Sequence, residues 1–439
     1  MPSFLSTRPF QVIIIAIFGI LALAGLYAFT TYTGLGGNSN AVGTVTIWGT
    51  LPKNAMETAI GNLKQAQQEY KNVSYVEKAA DTFDVDLADA IASGVGPDLV
   101  VITQESLTSN EAKLEIVPWS SIPQRTYLDT YVAEYQLFLT SSGSYGIPFV
   151  IDPLILFYNR SMLSSVGVAK PPSTWEAVTG LVPSITQVAG GQNIVKSTIP
   201  FGSYANVTNA RAIVSLLFLQ AGSSITETTV QGVRSTLESA AAPGSTTGAA
   251  APVAAMNFYT QFADAAKTVY SWNPSLPTSR QTFIAGDLAL YPGFASELSS
   301  LRAANPNLDF DIAPIPQPAT ASKRTTYGVA YAFAIPKASK NKNGAYQASI
   351  ALSGNAVLPG LATSLGMVPS VRSLLKSDPS DPYAGVYYPE ALSASGWLSP
   401  APSVTNGIFA GIIQNITSGR MDTSQALSAA ARTLNAAFK

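Results

Sequence analysis

Val45-Thr46-Ile47-Trp48 and Leu99-Val100-Val101-Ile102 bracket the stretch that decides the fold. The first run is β-branched and aromatic and is ended by Gly49 and Pro52, the pattern of a short strand. Within 55–70, Ala59, Leu63, Ala66 and Tyr70 recur at helical spacing. Residues 73–77 read as a second strand. Residues 84–93 read as a second helix, with Val85, Leu87, Ala88 and Ile91 apolar and Gly94 as its stop. Leu99 to Ile102 is unbroken apolar sequence, as in a strand covered on both faces. This β-α-β-α-β order predicts an α/β fold with a parallel sheet covered by helices.

Toward the N-terminus, residues 10–30 carry no charge and almost no polar side chain. A helix of about 20 such residues spans the roughly 30 Å of a bilayer core. Only Arg8 precedes the run, and the next Lys or Arg is Lys53, which orients the short end inward. Residues 1–30 are therefore expected to form a single-pass anchor; a cleaved signal peptide is the competing reading. Leu23-Ala24-Gly25-Leu26 is built like a lipid-attachment site, but Leu26 stands where the lipid-bearing Cys would be. Residues 31–43, rich in Gly, Thr, Ser and Asn, read as a flexible tether.

The chain has 439 residues with no Cys and no His. That excludes disulfides, thiolate chemistry, His-based triads and His-ligated metal sites. No cofactor or metal is expected. Lys plus Arg total 25 against 26 Asp plus Glu, so a phosphate-tracking nucleic-acid surface is not expected either. The roughly 400 residues beyond the anchor exceed what one core accommodates, so two lobes are expected.

Farther along, 145–158 holds two short apolar runs around Pro148 and Pro153. Ser173 or Thr174 can cap a helix that starts at Trp175-Glu176. Helices are read at 210–221, 254–270, 280–284, 343–352 and 423–438, and a strand at 327–335. Residues 240–252 read as a surface loop. Gly94-Val95-Gly96-Pro97 lacks the Lys-Ser/Thr of a phosphate loop and precedes a strand, so it reads as a turn. Lys337 to Lys342 reads as a solvated basic cluster.

Taken in order, these segments resemble the family 1 extracellular solute-binding proteins, the group that contains maltose-binding proteins. The likeness rests on Val45-Thr46-Ile47-Trp48 and on Gly94-Val95-Gly96-Pro97-Asp98 before a strand. It continues with Tyr145-Gly146-Ile147-Pro148, Leu156-Phe157-Tyr158-Asn159-Arg160, Gly167 and Pro171-Pro172-Ser173-Thr174-Trp175-Glu176, similar to the family's "YGIP … YYNK … G … PPxTWxE". Phe283-Ile284-Ala285-Gly286-Asp287-Leu288-Ala289-Leu290 is similar to "FxxGxxAM", and Ser339-Lys340-Asn341-Lys342 to "SKNKE". The resemblance implies a two-lobe periplasmic-binding-protein fold (type II-like) with three crossovers, near 150–153, 318–327 and 366–370. Lobe I would comprise 44–152 plus 325–367, and lobe II 153–324 plus 368–439. It further implies a monomer that hands a small solute, a sugar or oligosaccharide, to the permease of an ABC importer by hinge closure.

The resemblance and the strand ends together nominate a ligand site. Trp48 would stack on a sugar face, or else fill the core. Glu105 and Asp152 would accept hydroxyl hydrogen bonds. For Glu105 the competing role is a solvated loop charge, and for Asp152 a helix cap. Tyr204, Tyr291 and Phe294 are candidate rings, although relatives often carry Trp near Phe294. Tyr327 and Gly328 sit at the second crossover, where Gly admits close backbone approach. Trp397 would roof the cleft or pack inside. No catalytic residue is expected. The alternatives are a hydrolase using Glu105 and Asp152 as a carboxylate pair, and a surface adhesion protein.

Overall fold

The computed structural model describes residues 42–190, 193–238, 250–375 and 382–438. The expected anchor at 1–30 and nearly all of the tether lie outside the described residues. Among the described residues, no helix is long and apolar enough to cross a membrane.

The opening stretch folds as read. Strand β1 (Val45–Gly49) pairs in parallel with β2 (Val73–Glu77) and β3 (Leu99–Thr103). Helix α1 (Lys53–Ala66) joins the first two, and α2 (Phe83–Ala92) precedes the third. The turn before β3 has a structural purpose. The Asp98 carboxylate accepts from Thr46 N (3.1 Å) and from Ser339 Oγ (3.1 Å). The basic cluster is likewise built into this lobe: Lys340 donates to Gly94 O, Lys337 to Ala112 O, and Lys342 pairs with Glu115.

Helix α3 (Gln104–Asn110) follows β3 directly. The region around Pro148 and Pro153 is not two runs but one 13-residue strand, β4 (Ile147–Asn159), with all but one residue buried. Its first half pairs with β7 (Thr326–Ala334), and its second half pairs with β5 (Leu290–Phe294) and β6 (Phe310–Ala313). Pro148 is tolerated because the ladder shifts register there, at a bulge opposite Tyr331 and Ala332. The main sheet therefore runs β5-β4-β7-β3-β1-β2.

Two bodies of apolar side chains divide along this sheet. In the first lobe one cluster holds Ile47, Met56, Leu63, Phe149 and Phe333, and an adjoining one holds Leu87, Ile102, Tyr135 and Ile151. In the second lobe a single cluster gathers Phe157, Phe201, Phe218, Trp272 and Tyr291. Each such fully buried large side chain contributes about 1.5–3 kcal/mol relative to exposure. Helices α4 (Trp175–Ile185), α5 (Ala210–Gln220) and α6 (Ala251–Thr260) cover the second lobe. Thr174 is the cap of α4, accepting from Ala177 N at 3.2 Å. Helix α6 ends ten residues before the expected position, passing through a short 3-10 turn at Gln261–Ala263.

The C-terminal division departs from the expected one. Residues from 368 on were expected in lobe II, yet Leu375, Ala391 and Ala394 pack in the first lobe. The reason is the helix Ala384–Leu392, which lies between the lobes: its Ala391 is in the first core, while Val386 and Tyr387 pack against the second.

Candidate functional site

Because β1, β2 and β3 are parallel, their C-terminal ends define one edge of the first lobe. Trp48 stands there half-buried, with Lys78 Nζ 3.8 Å above its ring, a cation–π contact. At the end of β3, Thr103 and Ser106 cap α3 reciprocally, which sets Gln104 and Glu105 in its first turn. Gln104 clasps β7, donating to Gly328 O and accepting from Ala330 N, each at 2.8 Å.

Glu105 is 6% exposed, and its partners are charged and aromatic. Oε1 accepts from the Tyr327 phenol and from Arg211 Nε (3.1 Å), and Oε2 accepts from Arg211 Nη2 (2.6 Å). This is a two-pronged guanidinium–carboxylate pair. It joins the lobes: Glu105 belongs to a helix of the first, Arg211 to the opening turn of α5 in the second. Asn209 precedes that turn in a left-handed conformation (φ 62°), which Asn adopts more readily than most residues, and donates to Glu297 (2.6 Å). Arg211 Nη1 also donates to Pro402 O (3.3 Å) and Asn406 Oδ1 (3.2 Å). Tyr204 donates to the same Asn406 oxygen at 2.8 Å. Burial pushes the Tyr204 phenol up to about 12.

Behind Glu105 lies a second carboxyl, Glu134, 3% exposed. Its Oε1 presses on Gly396, where a Cβ would approach to 2.0 Å, so a larger residue there would displace the Glu134 carboxyl. Burial above all, with the nearby Glu105 charge, pushes Glu134 up to about 8. At neutral pH it is mostly protonated.

The structure thus brings Glu105, Tyr204 and Tyr327 into one polar cluster around Arg211, with Trp48 on the adjoining sheet edge. The other nominated residues stand elsewhere. Asp152, in the middle of β4, caps no helix that follows it; it holds Ser296, Oδ1 accepting from Ser296 N (3.1 Å) and Oδ2 from Ser296 Oγ (2.6 Å), just before the helix Glu297–Ala304. Burial pushes it up to about 7. Tyr291 is wholly buried, stacked on Phe283, and donates to Glu297 at 2.6 Å. It is a core ring, because β5 is buried on both faces over Leu290–Gly293. Phe294 is half-buried at the end of β5, its N–H on Glu297 Oε1. Gly328 is required by strand packing, since a Cβ would meet Ala394 at 2.9 Å and Ile151 at 3.0 Å. Trp397 is 2% exposed, bonded to Ser215 (3.0 Å) and stacked on Phe409, a core position. Glu105 and Asp152 accept hydrogen bonds from different groups, Arg211 and Tyr327 for the one and Ser296 for the other. Among the described residues, no group of three acidic side chains could hold a metal ion.

Sequence reading missed Arg211, Asn406, Glu134 and Lys78. Arg211 had a signal: it is the only charged residue between Lys196 and Glu227, in an otherwise apolar helix. Asn406 and Glu134 had none, because their meaning depends on residues far away in sequence.

The family model described as bacterial extracellular solute-binding protein matches residues 23–353. None of the curated proteins matches the sequence. Among solved structures, the chain is similar to a cyclo/maltodextrin-binding protein complexed with maltotetraose (TM-score 0.71, 17% identity, covering 91% of this chain and 98% of that one). It is also similar to the GacH receptor of Streptomyces glaucescens GLA.O, solved unliganded and with acarbose (0.71, 16%, 90% and 98%). A third is the cyclic alpha-maltosyl-1,6-maltose binding protein from Arthrobacter globiformis (0.72, 16%, 90% and 99%). At these identities the likeness establishes a shared two-lobe fold.

Proposed function

Since the chain belongs to the bacterial extracellular solute-binding proteins, we propose that it captures a sugar or oligosaccharide outside the cytoplasm and hands it to an ABC importer. One observation carries the placement of the ligand. The polar cluster of Glu105, Tyr327, Arg211, Tyr204 and Asn406 joins the two lobes at the carboxyl end of β3, where α/β sheets take ligands. Capture by hinge closure between lobes needs no metal, His or Cys. The carbohydrate class is supported by the similar structures solved with maltotetraose and acarbose. Residues 10–30 anchor the protein beside its permease, which raises its effective concentration there. The protein acts as a monomer and catalyses nothing.

Calorimetric titration of the full chain with a panel of oligosaccharides tests this. Saturable, reversible binding with the sugar recovered intact is expected. Product release would replace the binding role with a hydrolytic one. The N-terminal sequence of native protein tests the anchor: a start near Met1 is expected, and a start just after Ala24 or Ala28 would mean a cleaved leader.

A further inference from the structure

Among the described residues, Arg211 has only neutral partners on its own lobe: the Pro402 carbonyl and the Asn406 amide oxygen. Its one counter-ion among the described residues is Glu105, which reaches it from the other lobe. When the lobes part, Glu105 leaves with the first lobe, and the second-lobe wall keeps a pre-aimed guanidinium without a carboxylate. A desolvated guanidinium fork is a geometric match for a planar carboxylate rather than for a hydroxyl. The facing edge of the first lobe adds another cation, Lys78, over the Trp48 ring. The acidic groups nearby do not offset this. Glu77 is turned to Lys53 N, and Glu134 is buried and mostly protonated.

Resting on the solute-binding reading, we infer that the cleft selects a carboxylated sugar of the uronate type, whose carboxylate takes the place of Glu105 on Arg211. Glu105 is then a built-in competitor rather than a hydroxyl acceptor. In the ligand-free closed form it stands in for the ligand's acid group, and on binding it yields the guanidinium. The sugar ring lies between Tyr204 and Asn406 on one wall and Trp48 on the other. This role makes opposite demands on the two partners of the pair, and those demands are measurable.

The test is calorimetry on the full chain with glucuronate, galacturonate and mannuronate oligosaccharides, each against its methyl ester, and with maltotriose and mannotriose. The ester keeps every hydroxyl and removes the charge. At least one uronate is expected to bind ten-fold or more tighter than its ester. Arg211→Gln should erase that preference. Glu105→Gln should tighten uronate binding several-fold, because the competitor is gone; this variant keeps the test decisive if Arg211→Gln does not fold. A neutral sugar that binds at least as well as every uronate overturns the inference and leaves the solute-binding reading intact. Weakened uronate binding in Glu105→Gln also overturns it, by making Glu105 a ligand acceptor. Binding of no sugar at all overturns this inference and the carbohydrate reading together.

Discussion

Glu105 and Asp152 are two buried acids near the junction of the lobes, one just past the end of β3 and the other in the middle of β4, and they have opposite surroundings. Glu105 meets a guanidinium and a phenol that arrive from the far side of the junction. Asp152 meets a hydroxyl and backbone amides at the start of one helix. The first contact can exist only while the lobes are together. The second ties the start of the helix Glu297–Ala304 to the middle of β4, the strand that runs through both lobes. Burial alone therefore does not mark a ligand residue. What distinguishes the two is the partner: a guanidinium and a phenol on Glu105, a hydroxyl and a backbone N–H on Asp152.

The largest expected effect tests whether the cross-lobe pair is as tight as its geometry. Arg211→Met leaves Glu105 buried without its counter-ion, and removing one partner of such a pair costs about 3 kcal/mol or more. Adding Glu105→Gln to that variant should recover much of the loss. Denaturant unfolding of the single and double variants measures the coupling, and simple additivity would mean the two side chains do not interact.

Next comes pH. Glu134 rises from 4.5 to about 8 and Asp152 from 3.8 to about 7 on folding, both chiefly through burial. Between the unfolded and folded values the folded state holds more protons, so its stability falls as pH rises. The contribution is complete below about pH 4 and is lost through about pH 8. Denaturation midpoints should therefore decrease from pH 5 to pH 8, and Glu134→Gln should flatten that slope. A midpoint that climbs over this interval would contradict the protonated Glu134.

Asp152→Ala should cost about 1–3 kcal/mol, the range for leaving buried donors without their acceptor, with glycan affinity unchanged. A normal stability with weakened affinity would return Asp152 to the ligand site. Smallest is Tyr204→Phe, which removes the bond to Asn406 and should cost about 0.5–1.5 kcal/mol, less where water replaces it.

How far the sequence could be read follows from the range of the forces involved. The strand–helix alternation over 45–102 was legible because periodicity is local. So was the Thr174 cap. The continuity of β4 was not, because two prolines argue locally for breaks, and only the bulge opposite Tyr331 accommodates one of them. Tyr291 and Trp397 were misplaced for a related reason. An aromatic residue near a Gly or Pro looks like a cleft ring, while its packing is set by neighbours distant or unmarked in the sequence, such as Phe283 for Tyr291 and Phe409 for Trp397. Glu105 and Tyr204 were nominated, but the residue that unites them, Arg211, sits roughly a hundred positions from Glu105.

Hydrogen–deuterium exchange on the full chain, with and without the oligosaccharide that binds best, addresses the central claim most directly. The account predicts slower exchange in peptides covering 103–110 and 204–213 on saturation, with 288–298 unchanged. Protection confined to 288–298, with the Glu105 and Arg211 segments unaffected, would place the ligand elsewhere and contradict it.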